Sequence, residues 1–254
     1  MSSGRGFGRV GTWLAIGLVI LQAGAARASS FSVNPTQVSL SASAKSALVT
    51  IKNETDQAVR FQVAAMAWSQ DEAGHMQMAP TEDIVFFPAL LTLKAREERK
   101  VRLGTTVAPG AQERSYRLVV VELPPLQAGS ATTGVAMLTK MTIPVFLQPA
   151  RLAAQATLSD VGMTGGHLAF RLRNTGTLHF VPQRVRVTGK DEAGTTVVDQ
   201  QATAWYVLAG GARLFELPIA EPQCRQVRTL AVEIQVGETA LLETVKTPGG
   251  ACAK

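Results

Sequence analysis

Histidine and methionine crowd together once in this chain, at His75-Met76-Gln77-Met78, with Met66 upstream. Imidazole and thioether groups are ligands for copper(I), so His75 and Met78 define one candidate chemistry, that of a copper carrier. The same residues also read as a hairpin loop, because Asp71 to Gly74 is a turn sequence and methionine is a common gap filler; this is the preferred reading. His75, His167 and His179 are the three histidines, and none lies near a serine or cysteine in a nucleophile pattern. The sequence has no G-x-S-x-G, no H-E-x-x-H, no Walker A loop and no G-x-G-x-x-G between a strand and a helix. The expectation is a protein that is not an enzyme and takes no cofactor.

The N-terminus carries Arg5 and Arg9, an apolar run from Trp13 to Leu21, and a small-residue stretch ending in Ala26-Arg27-Ala28. This is the pattern of a secretory signal peptide, residues 1–28, cleaved after Ala28. The apolar run is shorter than the roughly 20 residues a bilayer span needs, so no membrane span is expected once the signal is removed. Cleavage removes Arg5, Arg9 and Arg27, leaving 22 of the 25 basic residues against 19 acidic ones, a net charge of about +3. With no Lys/Arg block, that mild excess gives no support to nucleic-acid binding. Cys224 and Cys252 are the only cysteines, an even number in an exported chain, and they read as one disulfide closing a loop of about 28 residues.

The elements that position these residues are strands. Short alternating segments separated by turn signals run over 32–40, 46–53, 59–69, 84–87, 99–105, 115–123 and 135–147, and seven such strands in about 120 residues predict an immunoglobulin-like sandwich for residues 29–149. Pro149-Ala150 marks a boundary. Beyond it, segments at 168–172, 184–187, 195–198, 206–208, 213–217, 229–235 and 241–245 predict a second β sandwich over 150–254. The fold class is all-β, two sandwiches in tandem.

Strand 135–147 is unusual in having apolar residues on both faces. Val135, Met137, Thr139, Met141 and Ile143 alternate with Ala136, Leu138, Lys140 and Thr142. Such a strand is either sandwiched in a core or presents an apolar face to a partner. At a sheet edge it is a template for a guest chain.

Several fragments together resemble one family, the PapD-like periplasmic pilus-assembly chaperones of the chaperone/usher pathway. They are Phe31 to Leu40, Thr50-Ile-Lys-Asn53, Val85-Phe-Phe-Pro88, Lys100-Val-Arg-Leu103, Tyr116-Arg-Leu118, Glu122-Leu-Pro-Pro125 and Ile143-Pro-Val-Phe146, and their order and spacing carry the resemblance. It implies two immunoglobulin-like domains set in an L, with a cleft that receives a pilus (fimbrial) subunit. The chaperone lends the subunit a strand and delivers it to an outer-membrane usher, all in the periplasm. Here the lent strand would lie within 135–147, with Val135, Met137, Thr139 and Met141 toward the subunit. An exported two-domain sandwich serving another secreted partner is the alternative.

The family also places two basic residues in the cleft to bind the subunit's terminal carboxylate. On the first strand that position falls at Gln37, which has hydrogen-bonding capacity without charge. On the lent strand a gapless reading puts it at Pro144, whereas members ending in Pro-Val-Phe carry a basic residue where Lys140 stands; Lys140 is the expected anchor. Arg117, on the preceding strand, either supplies the missing charge or is an ordinary solvated arginine.

Overall fold

The computed structural model describes residues 31–124, 137–247 and Cys252. Seventeen strands and one short helix build two β sandwiches. The first contains β1 Phe31–Asn34, β2 Val38–Leu40, β3 Ser46–Asn53, β4 Val59–Gln70, β5 Met76–Pro80, β6 Ile84–Phe87, β7 Leu90–Leu93, β8 Glu98–Thr105, β9 Arg114–Leu123 and β10 Lys140–Leu147. One sheet runs β1-β3-β8-β6, and the other runs β2-β10-β9-β4-β5 with β7 also on β4. The second sandwich contains β11 Ala156–Thr164, β12 His167–Asn174, β13 Arg184–Lys190, β14 Thr196–Ala202, β15 Ala212–Pro218, α1 Glu221–Gln226, β16 Thr229–Val236 and β17 Thr239–Lys246. Its sheets are β11-β12-β15 and β14-β13-β16-β17.

Period-2 alternation decides which side chains go inward. In β3 Val49, Ile51 and Asn53 are buried; in β16 Leu230, Val232, Ile234 and Val236 are. The first core collects Phe31, Val49, Ile51, Phe61, Val63, Leu103, Leu118, Val120, Ile143 and Val145; the second collects Leu168, Phe170, Leu172, Val187, Leu230 and Ile234. Two asparagines with matching duties close turns. Asn53 Nδ2 donates to the carbonyls of Gln57 and Lys94, and Asn174 Nδ2 donates to those of Leu178 and Val207. Both amides are buried, so these bonds satisfy groups that water cannot reach.

Some expected elements differ. The single strand expected at 32–40 is two strands in different sheets, because Pro35 has no N–H to continue a ladder. The stretch expected as a hairpin loop at Met76 to Met78 is strand β5, an edge strand that pairs Met78 with Trp68 and Met76 with Gln70. In the second domain β11 had no expected counterpart, Tyr206 to Leu208 forms only an isolated bridge from Val207 to Phe180, and α1 is an unexpected helical turn. The disulfide is present: Cys224, buried in α1, is bonded to Cys252 with Cα atoms 5.8 Å apart, tying the tail to the second core. Among the described residues no helix is long and apolar enough to cross a membrane.

Candidate functional site

β10 is paired on one side along its whole length with β9, from Lys140 opposite Val121 to Leu147 opposite Arg114. On its other side β2 pairs only with Val145, Phe146 and Leu147. Residues 140–144 therefore present an open backbone edge, and no described strand covers it. The Glu122 N–H donates to Thr139 O at 2.9 Å, which sets the phase of the antiparallel ladder. Residues 139, 141 and 143 then bond to β9, while Lys140, Thr142 and Pro144 turn their backbone groups outward. Proline lacks an N–H, so Pro144 takes a place where β9 loses nothing.

Alternation assigns the side chains. Ile143, Val145 and Leu147 point into the domain's own core, and Met141 packs at its margin. The same face runs past the end of the sandwich to Met137, which is 89% exposed. Of the residues expected to face a guest, Met137 and Thr139 lie beyond the core, and Met141 belongs partly to it; Val135 lies outside the described residues. The opposite face carries Lys140, Thr142, Pro144 and Phe146, in rows with Val121, Val119, Arg117 and Ser115 of β9 and Gln62, Ala64, Met66 and Trp68 of β4.

That face meets the second domain. Phe146 is fully buried in a cluster with Trp68 and Leu208, against which Tyr206 packs. His179 stacks on Phe146 at 3.7 Å between centroids, and its Nδ1 lies 2.5 Å from Oε1 of the buried Glu113. Gln70 clamps the junction, its Nε2 donating to Tyr206 O at 2.7 Å and its Oε1 accepting from the Leu208 N–H at 2.9 Å. At the β4–β5 turn, Arg171 Nη1 donates to Glu72 O at 2.8 Å, and Gly74 (φ 87°) packs so tightly on Arg213 that a Cβ would lie 2.9 Å from its Cγ.

Arg117 is not a solvated strand arginine. It is buried, 4% exposed, in a cage of three rings. Its guanidinium carbon lies 3.7 Å from the Trp68 centroid, 5.1 Å from that of Trp205 and 5.7 Å from that of Tyr206. Burial pushes it below the usual arginine range, and the Tyr206 hydroxyl opposes that effect. It stands directly across from Pro144, so a cation occupies the row in which the gapless family reading seeks one, on the neighbouring strand. Gln37 joins the same site, accepting from the Tyr206 hydroxyl at 3.4 Å. Lys140 does not: it is exposed on the same face, four residues or about 13 Å along β10 from the Arg117 row.

His75 and Met78 lie at the other edge of this sheet. The His75 imidazole Nδ1 is 3.1 Å from Asp71 Oδ2 within the turn, and Met78 is opposite Trp68. Among the described residues no group of three or more His, Cys, Asp or Glu side chains is arranged to hold a metal ion. The cage residues Trp68, Trp205 and Tyr206 had no role in the sequence reading. Their only trace in the sequence was a few isolated aromatic residues, two of them far away in the second domain.

Residues 30–153 match the family described as pili and flagellar-assembly chaperone, PapD N-terminal domain. The match spans the first domain, 124 of the chain's 254 residues. Solved structures extend the likeness of fold to both domains. A chain of the CsuC–CsuE complex of a chaperone with a tip adhesion subunit, from the archaic chaperone–usher Csu pili of Acinetobacter baumannii, is 19% identical, with TM-score 0.60, over 87% of this chain and 100% of that one. A chain of the SafA pilin–SafB chaperone complex of Salmonella enterica is 12% identical, with TM-score 0.57, over 87% and 99%. The class 5 fimbriae chaperone CfaA is 12% identical, with TM-score 0.56, over 86% and 99%. No curated protein sequence matches the chain.

Proposed function

We propose that this protein is a periplasmic chaperone that holds a pilus subunit on the open edge of β10 and passes it to an outer-membrane usher. The observation that carries this reading is the unpaired edge over residues 140–144, in a domain of the pilus-chaperone family. A subunit lacking a strand exposes apolar side chains and unpaired backbone groups, an aggregation hazard. The edge of β10 offers it hydrogen bonds through Lys140, Thr142 and Pro144, while Met137 and Thr139 carry the strand's inward row of side chains beyond the chaperone's own core. Export is by a signal peptide cleaved after Ala28. In the cleft, Lys140, Gln37 and Arg117 are the polar groups available to the subunit, and Arg117 carries a charge in the row of Pro144. No hydrolytic or redox step is involved; binding alone does the work.

The test is co-expression with a pilus subunit. A complex recovered from the periplasm, with the chaperone starting at Ser29, is expected. Subunit that stays soluble and is assembled in cells lacking the protein contradicts the reading.

A further inference from the structure

Once residues 1–28 are removed, six of the seven methionines remain, and they differ widely in how far they are open to solvent. Met137 is 89% exposed; Met76 and Met78, on the edge strand β5, are 40% and 37% exposed; Met66 and Met141 are half-buried; Met163 is sealed in the second core. A thioether is oxidised when its sulfur lone pair attacks a peroxide oxygen. A sulfur–oxygen bond forms as the oxygen–oxygen bond breaks, and the hydroxide released takes the proton of the transferred hydroxyl and leaves as water. Sulfur gives up two electrons, the peroxide is reduced, and the product is the sulfoxide. Because the sulfur must meet the oxidant in solution, Met137 is the residue that reacts first.

Its position gives that reaction a consequence. Met137 stands in the inward row of the strand, four residues or about 13 Å before Met141, which packs at the margin of the first core. The folded chaperone draws little from Met137, whereas a guest on the strand would bury it. A sulfoxide turns this flexible apolar side chain into a polar one carrying a strong hydrogen-bond acceptor. In an apolar groove that oxygen meets no donor, and burying it unpaired is costly. We propose that Met137 is an oxidation site that disables the lent strand: hydrogen peroxide or a related peroxide converts it to the sulfoxide in the free chaperone, and the oxidised strand no longer holds a subunit. This inference rests on the lent-strand reading and adds to it a chemical state in which capture is off. A bound guest shields the sulfur, so the reaction is confined to empty chaperone. Met76 and Met78 supply an internal control, since β9 and β4 separate their strand from β10 in the same sheet.

The exported protein is treated with hydrogen peroxide, the excess is removed, and oxygen gain at each methionine is mapped by peptide mass before a pilus subunit is added. Met137 should gain oxygen several-fold faster than Met76 and Met78, with the thermal midpoint unchanged. Affinity for the subunit should fall about tenfold or more once Met137 is oxidised. Loss of capture should follow the oxidised fraction of Met137 and not that of Met76 or Met78. Met137→Leu keeps an apolar side chain of similar volume; it should capture subunit as the untreated protein does and keep doing so after the same treatment. The double variant Met76→Leu, Met78→Leu should lose capture like the wild type. In a preformed complex Met137 should resist peroxide. Slower reaction at Met137 than at Met76 and Met78, full capture by protein oxidised at Met137, or lost capture by treated Met137→Leu each overturns the inference and leaves the lent-strand reading standing. Failure of the untreated protein to capture any subunit sinks that reading, and this inference with it.

Discussion

His179 of the second domain lies flat on Phe146 of the first, with centroids 3.7 Å and planes 14° apart. The strand whose edge is open from Lys140 to Pro144 is thus pinned, one residue from its end at Leu147, to the other domain. Phe146 is fully buried against Trp68 and Tyr206 as well. Phe146→Ala should cost about 3 to 5 kcal/mol, measured by denaturant unfolding. It should also raise the radius of gyration by loosening the junction; unchanged stability would show that the stack contributes nothing.

Among the described residues Met137 is the most exposed of the large apolar side chains, at 89%, so it adds little to the described core. Met137→Glu should leave the thermal midpoint within about a degree and abolish subunit capture, because burying it in a guest is worth about 1.5 to 3 kcal/mol and an unpaired ion there is costly. Thr139→Val should strengthen capture. Unfolding of the first domain by Met137→Glu would place that side chain in the chaperone's own core.

Tyr116 donates its hydroxyl to Asp83 at 2.7 Å and is pushed up to about 12 by burial, with the Asp83 carboxylate adding to the effect. Its neutral form is favoured in the folded state, while an unfolded tyrosine ionises near 10. The contribution is therefore complete below about pH 10 and is lost as pH rises from there toward 12. Alkaline unfolding should steepen across that window. Tyr116→Phe should flatten the slope, and an identical slope in the variant would exclude Tyr116 as its source.

The bridge between Cys224 and Cys252 closes a 28-residue separation within the second domain. Chain entropy puts its contribution at about 3.5 kcal/mol. Replacing both with serine should lower the second domain's thermal midpoint and leave subunit capture intact at permissive temperature. Lost capture at full folding would mean the tail takes part in binding.

Alternation made most of the first sandwich legible, because residues such as Val49, Ile51, Leu118 and Val120 are both β-branched or apolar and correctly phased. What alternation alone does not give is how far a strand's neighbours extend. The open edge of β10 depends on β2 starting only at Val38, opposite Val145, and β2 is a separate strand because Pro35 breaks the first strand in two. β5 was hidden because an exposed edge strand with Met76, Met78 and Pro80 has no buried face to betray it. The Arg117 cage was illegible for a different reason: Trp205 and Tyr206 are nearly ninety residues away, and only the docking of the domains brings them over the guanidinium. The side chain could be named from the sequence, but its burial could not.

Backbone exchange tests the lent edge most directly. In the protein alone the amides of Lys140 and Thr142 point away from β9, and hydrogen–deuterium exchange resolved to single residues should find them fast, with Met141 and Ile143 protected by β9. In the complex with a subunit both fast amides should become protected. Exchange at Lys140 and Thr142 that stays fast in a stable complex would contradict the account, because the guest would then be held somewhere other than the edge of β10.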